Sequence, residues 1–220
     1  MPAIHIKMTL NDRTKAYCEK HTSSVLPVLN QLERATNLAT LAPQMLSGTY
    51  QGKLLEFISR MIAPNRILEI GTFTGYAAIC LAQGLGVGGK IHTIEVNDEL
   101  GWIIRNHVAM AGLTDQFVLH LGDAAAVIPT LDETFDLIFL DAGKMEYHLH
   151  YEMCLPLLRS GGYMLIDNVL WDGKVVSEVE DKDPTTLALR DFNHMVQQDH
   201  RVENILLPIR DGIMLLRKIP

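Results

Sequence analysis

The stretch Leu68-Glu69-Ile70-Gly71-Thr72-Phe73-Thr74-Gly75 decides the fold of this 220-residue chain. It begins in an apolar run and passes through a glycine turn into a helical pattern over 75–83. A strand that turns sharply into a helix is the first half of a right-handed crossover. Outward from it, short apolar runs at 66–71, 90–95, 117–122, 135–141 and 163–167 alternate with helical patterns at 99–111, 124–131 and 147–158. This alternation predicts an α/β, doubly wound, Rossmann-like sheet of five parallel strands covered on both faces. A helix over 185–198 leads to extended runs at 202–210 and 213–217, joined through Asp211-Gly212, which predicts a C-terminal antiparallel hairpin.

Upstream, the pattern is helical. Thr9 or Asn11 caps a helix running toward His21, and Ser23 or Ser24 opens a second with Val25, Leu29 and Leu32. A third over 51–62 sets Leu54, Leu55, Ile58 and Ile62 on one face, with Pro43 and Gly48 breaking the chain before it. The expected organisation is one domain, with a helical cap (1–62) over a Rossmann-like core (64–220).

Composition narrows the function. Apolar residues make up 48% of the chain, enough for a sizeable core, and the net charge is −7 with no basic cluster, which argues against nucleic acid. No apolar run approaches the roughly 18 residues of a membrane span. Met1–Met8 lacks an apolar leader, so the expected location is the cytoplasm. Cys18, Cys80 and Cys154 are widely separated, and Cys80 reads as a small core residue. Gly84-Leu-Gly-Val-Gly-Gly-Lys90 imitates a phosphate loop, but it follows a helix and precedes a strand, so it reads as a turn.

The loop after the first strand lies where ligands bind in open α/β sheets. Phe73 stands where a dinucleotide fingerprint needs glycine, and the Glu69 carboxylate would repel a phosphate. A cationic, phosphate-free nucleoside with an amino-acid tail fits better. Glu95 ends the second strand, about 24 residues past Gly71, suited to both ribose hydroxyls. The third strand ends at Gly122-Asp123-Ala124, where Asp123 would accept from an exocyclic amine. Three strand ends together predict an S-adenosylmethionine site.

The fourth and fifth strands end at Asp141 and at Asp167-Asn168. As neighbours in a doubly wound sheet they bring together two carboxylates and an amide oxygen, a hard donor set suited to Mg²⁺, Mn²⁺ or Ca²⁺. A single strand-end Asp is commonly only a helix cap. Lys144 lies three residues beyond Asp141. A metal beside a base is what deprotonating a hydroxyl requires. His148 and His150 do not share a helix face and read as surface residues.

These residues make the chain recognisable: it resembles the class I, cation-dependent O-methyltransferases of the caffeoyl-CoA and catechol type. Leu68–Tyr76, Phe139–Lys144 and Asp167-Asn-Val-Leu-Trp-Asp-Gly-Lys-Val175 carry the resemblance. It implies that Met45 and Ser47 border the cofactor, that Glu69 and Gly71 hold its methionine part with Thr72, Tyr76 and Ala77 close by, and that Glu95 takes the ribose. Asp123 and Ala124 would border the adenine. Asp141, Asp167 and Asn168 would hold the metal, with Asp141 serving the cofactor pocket too, and Trp171 would line the substrate pocket. Ala77 stands where the family often has serine, which implies one hydrogen bond fewer to the cofactor carboxylate. The acidic stretch 172–184 disfavours a CoA-thioester acceptor.

The expected reaction is methylation of one hydroxyl of a vicinal aromatic diol, with Lys144 and Asp141 as catalytic residues. Relatives pair, and the apolar N-terminal helices predict a homodimer. Two rival classes remain: a cofactor-binding protein without catalysis, and a nicotinamide-dependent oxidoreductase. The second is disfavoured by Phe73.

Overall fold

The computed structural model describes residues 12–177 and 183–220. Seven strands form one sheet: β1 (Arg66–Ile70), β2 (Lys90–Glu95), β3 (Phe117–Leu121), β4 (Phe135–Leu140), β5 (Leu158–Asp167), β6 (Val202–Leu207) and β7 (Ile213–Lys218). Their order is β3-β2-β1-β4-β5-β7-β6. The first five strands run parallel, and β7 is antiparallel to both β5 and β6. The order reverses between β1 and β4, so the crevice for a ligand opens at their carboxyl ends.

Alternation along the strands sorts their side chains into two layers. Ile67, Leu137, Phe139 and Leu165 pack beneath α2 (Pro27–Ala39), α3 (Gly48–Ile62), α4 (Tyr76–Ala82) and α5 (Gly101–Met110). Leu68, Ile70, Ile138, Leu140 and Ile166 pack on the other face, which carries α6 (Ala124–Val127), α7 (Tyr147–Leu157) and α8 (Pro184–Gln198). A short helix over Asp12–Lys20 precedes them. Cys80 is buried in the first layer, as expected of a core residue.

Several boundaries differ from expectation, each for a local reason. The Asp12–Lys20 helix runs toward His21 as expected, but Thr9 and Asn11, its expected caps, lie outside the described residues. The helix expected to open at Ser23 or Ser24 begins at Pro27 instead. Proline suits the first helical position and holds Leu26 extended (φ −57°, ψ 138°). The helix expected over 124–131 is α6 alone, followed by a 3₁₀ turn at Ile128–Thr130, because Pro129 has no N–H to continue the ladder. β5 starts five residues early, at Leu158, and its pairing with β4 shifts register between Phe135 and Leu137. The Asp211-Gly212 turn is the end of a longer connection, 208–212, in which Arg210 (φ 51°) and Gly212 (φ 88°) adopt left-handed backbone.

The glycine-rich segment 84–89 connects α4 to β2. Gly84 is there for close packing. A Cβ at this position would lie 2.2 Å from the carbonyl carbon of Ser59, at the end of α3, whose hydroxyl donates to Leu81 O at 2.6 Å. Gly84→Ala is therefore expected to lower unfolding free energy by about 1–3 kcal/mol. Urea denaturation checks this, and an unchanged midpoint would contradict the packing role.

Candidate active site

A cavity of about 670 Å³ opens at the switch point. That is ample for a nucleoside with an attached amino acid. The loop leaving β1 forms its floor. Gly71 N–H donates to Ile94 O (3.0 Å), and Asp141 N–H donates to Ile70 O (2.9 Å), so three neighbouring strand ends are held together. Gly71 has φ 93°, and a Cβ there would lie 1.9 Å from the carbonyl oxygen of Asp141. No other residue fits both the backbone and the space.

Met45, Gly71, Glu95, Asp123, Ala124, Asp141, Lys144, Asp167, Asn168 and Trp171 all line this cavity. Glu95 is buried, and both its oxygens hold backbone: Oε2 accepts from Phe73 N (2.6 Å) and Oε1 from Asn97 N (2.8 Å). Carboxylate oxygens carry further lone pairs, so a ribose diol remains a compatible partner. Burial pushes its pKa up. Asp123 is exposed and caps α6, accepting from Ala125 N at 2.7 Å.

Ser47, Glu69, Thr72, Tyr76 and Ala77 are buried but are not among the cavity's lining residues. For Glu69 the reason is strand parity. It points into the layer that holds Ile67, and the β1–β2 register sets it beside Thr93. Thr93 donates to Glu69 Oε2 and exchanges a hydroxyl contact with Thr72. Burial, reinforced by Asp141 and Glu95, pushes the Glu69 pKa up to about 8. Glu69 is thus largely neutral near pH 7 and stands behind the loop, where a charged carboxylate facing the ligand was expected.

The far end of the cavity is electrostatically different. Leu140 pairs with Ile166, so Asp141 and Asp167 follow adjacent positions of β4 and β5. Burial pushes the Asp167 pKa up to about 6, and the neighbouring charge of Asp141 adds to this. Lys144 Nζ donates to Asp141 Oδ1 at 2.7 Å. Gln51 Nε2 donates to Asp167 Oδ2 (2.5 Å), and Asn168 N–H donates to Asp167 Oδ1 (2.8 Å). The Asn168 side chain hydrogen-bonds Asp211. A carboxylate only accepts, so the amide NH₂ faces Asp211 and leaves the carbonyl oxygen for a ligand. A buried carboxylate, Asp167, and a half-buried one, Asp141, with an amide oxygen beside them, fit a hard divalent cation. Among the described residues no group of three or more His, Cys, Asp or Glu side chains is arranged for a metal, so the candidate set is this mixed one. Trp171 is held by its indole N–H, which donates to Asp183 Oδ2 at 3.2 Å.

Sequence reasoning missed Gln51, Arg210 and His150. Gln51 sits four residues before Leu55 on the buried stripe of α3, a polar residue on an apolar face. Arg210 Nη1 donates to Gln51 Oε1 (3.0 Å) and its guanidinium to Leu46 O and Ser47 O, which ties the hairpin to the cap loop. His148 is exposed, as expected, but His150 is buried and lines the cavity. It lies three residues after Tyr147 and four before Cys154, on the face of α7 that packs inward.

This doubly wound sheet, with a nucleoside-sized cavity at its switch point, is the framework of a class I methyltransferase. Residues 19–219 match the O-methyltransferase family, and the chain belongs to it. It is 34% identical to a catechol O-methyltransferase of Niastella koreensis, covering 71% of this chain and 72% of the relative. It is 30% identical to a caffeoyl-CoA O-methyltransferase of Populus kitakamiensis, covering 77% and 76%. The SAH-bound methyltransferase PaMTH1 of Podospora anserina superposes with TM-score 0.87 at 30% identity, over 95% of each chain. The protein is accordingly an S-adenosylmethionine-dependent O-methyltransferase.

The placement of Glu69 has a direct consequence. Glu69→Gln should bind S-adenosylmethionine and S-adenosylhomocysteine within about threefold of the parent, since it removes little charge. A selective loss of the sulfonium ligand in calorimetry would show that Glu69 acts as an anion.

Proposed function

We propose that this protein methylates one hydroxyl of a vicinal aromatic diol, with a divalent cation held by Asp141, Asp167 and Asn168. The observation that carries the reading is the joining, in one cavity, of a nucleoside end bounded by Glu95 and Asp123 to an end bounded by Asp141, Asp167, Asn168, Lys144 and Trp171. Among the described residues no helix is long and apolar enough to cross a membrane. The three thiols are unpaired, which agrees with work in the cytoplasm.

Glu95 is proposed to hold the ribose and Asp123 and Ala124 the base. Gly71 and the cap loop around Met45 and Ser47 would enclose the methionine part. Thr72, Tyr76 and Ala77 support that loop from beneath, and Glu69 supports it through Thr93. The methyl donor supplies an electrophilic carbon on a sulfonium, and a bound Mg²⁺, Mn²⁺ or Ca²⁺ supplies the positive charge that favours an ionised hydroxyl.

The chain's own groups do the rest. Lys144, held beside Asp141, takes the proton of the attacking hydroxyl at Nζ from its neutral amine form and becomes an ammonium. Trp171 gives the acceptor ring an apolar wall, and Gln51 keeps Asp167 turned into the site through its 2.5 Å hydrogen bond. Much of the acceleration then comes from alignment of the hydroxyl with the methyl carbon. The CoA-thioester question is carried by 172–184, of which 178–182 lie outside the described residues.

Lys144→Ala should lower kcat about 10²- to 10⁴-fold while S-adenosylhomocysteine affinity holds. The reverse split would remove its role as base. In the same assay Asp167→Ala should lose Mn²⁺ binding, read by electron paramagnetic resonance, and still bind S-adenosylhomocysteine. Retained Mn²⁺ affinity would move the cation elsewhere.

The cap is also proposed to pair two copies. Leu38, Leu41, Phe57 and Met61 expose their side chains on the N-terminal helices and the loop after α2. Light scattering at micromolar concentration should give twice the chain mass, and a monomer mass would contradict the pairing.

A further inference from the structure

Lys144 and Arg210 are the cations that line the cavity, against the carboxyl groups of Glu95, Asp123, Asp141, Glu146, Asp167 and Asp211. Lys144 is paired with Asp141. Arg210, among the described residues, is in no ion pair. Its partners are neutral oxygens: Nη1 donates to Gln51 Oε1 (3.0 Å), Ser47 O and Leu46 O (3.3 Å), and Nη2 donates to Leu46 O (3.2 Å). Gln51 in turn donates to Asp167 Oδ2, so a single amide separates the guanidinium from the carboxylate end of the cavity.

These bonds use the tip of the guanidinium. The edge formed by Nε–H and the adjoining Nη2–H is engaged by no described residue, and the side chain is solvent-exposed. Two parallel N–H donors on a planar cation match the two oxygens of a carboxylate. The backbone is also unusual. Arg210 has φ 51°, in the left-handed region that residues other than glycine seldom enter. Such strain persists where the surroundings over-determine a residue, as the contacts to the cap loop and Gln51 do here, and it concentrates at ligand sites.

We propose that Arg210 is a specificity-determining residue that binds a carboxylate carried by the methyl acceptor, which makes the substrate class an acidic vicinal aromatic diol. The proposal rests on the Asp141–Asp167 end of the cavity being the acceptor site. An anionic acceptor entering this cavity meets repulsion from the carboxyl groups that line it. Lys144 is already held by Asp141, so the guanidinium that lacks a carboxylate partner is the group that offsets this repulsion. The donor's own carboxylate is the competing ligand, and the test separates the two.

The test uses the whole protein with saturating S-adenosylhomocysteine and Mg²⁺, titrated by calorimetry with 3,4-dihydroxybenzoate and with its methyl ester, which keeps the diol and lacks the charge. The parent should bind the acid about tenfold more tightly than the ester, the effect of a charge-assisted hydrogen bond. Arg210→Gln should lose that preference while its affinity for the ester stays within about threefold of the parent. Arg210→Lys, which keeps the charge and loses the fork, should fall between them. An equal loss of both diols in Arg210→Gln would leave a merely structural role and overturn the proposal. A loss confined to S-adenosylhomocysteine, titrated alone, would assign the guanidinium to the donor's carboxylate and overturn it too. If Arg210→Gln does not fold, the parent decides by itself, since equal binding of acid and ester there is equally fatal. Failure of the parent to bind either diol would instead sink the underlying acceptor-site reading, and the proposal with it.

Discussion

Asp141 and Asp167 end neighbouring parallel strands, and the sheet holds their carboxylates side by side at the rim of an apolar core. Like charges so placed repel, and burial removes the water that would screen them. The protein answers with three hydrogen-bonded contacts: the Lys144 ammonium on Asp141, and the Gln51 amide and the Asn168 N–H on Asp167. These keep the pair in place, while burial pushes the Asp167 pKa up to about 6. A pair held in this way is suited to the divalent cation proposed for it. Much of the surrounding architecture, from the cap helix that brings Gln51 to the hairpin that brings Arg210 and Asp211, serves to position it.

The second constraint is steric. Gly71 brings the end of β1 so close to the carbonyl of Asp141 that a methyl group would collide with it. That contact fixes the loop after β1 against the end of β4, between the Glu95 side and the Asp141 side of one cavity. Methyl transfer needs such a join, because the reacting atoms gain little from either subsite alone.

Much of this was legible in the sequence. The alternation of short apolar runs with helical patterns specified the sheet, and strand-end residues such as Asp141, Asp167 and Glu95 follow from the rule that ligands sit at carboxyl ends. What escaped was which face a residue takes once the exact strand limits are set. Glu69 lies within β1 with the parity of Ile67, so it points under α4 and away from the crevice. His150 shares a helix face with Tyr147 and Cys154, a pattern of spacing three and four that a search for paired histidines overlooks. Arg210 was hidden by length: a two-residue turn at 211–212 left no role for it, whereas the five-residue connection swings it onto the cap.

The most direct test of the account is methyl transfer from S-adenosylmethionine to 3,4-dihydroxybenzoate, measured with Mg²⁺ and then with excess EDTA. The account predicts turnover with Mg²⁺ that EDTA abolishes and added Mg²⁺ restores. Turnover that persists undiminished in EDTA would contradict the role given to Asp141, Asp167 and Asn168.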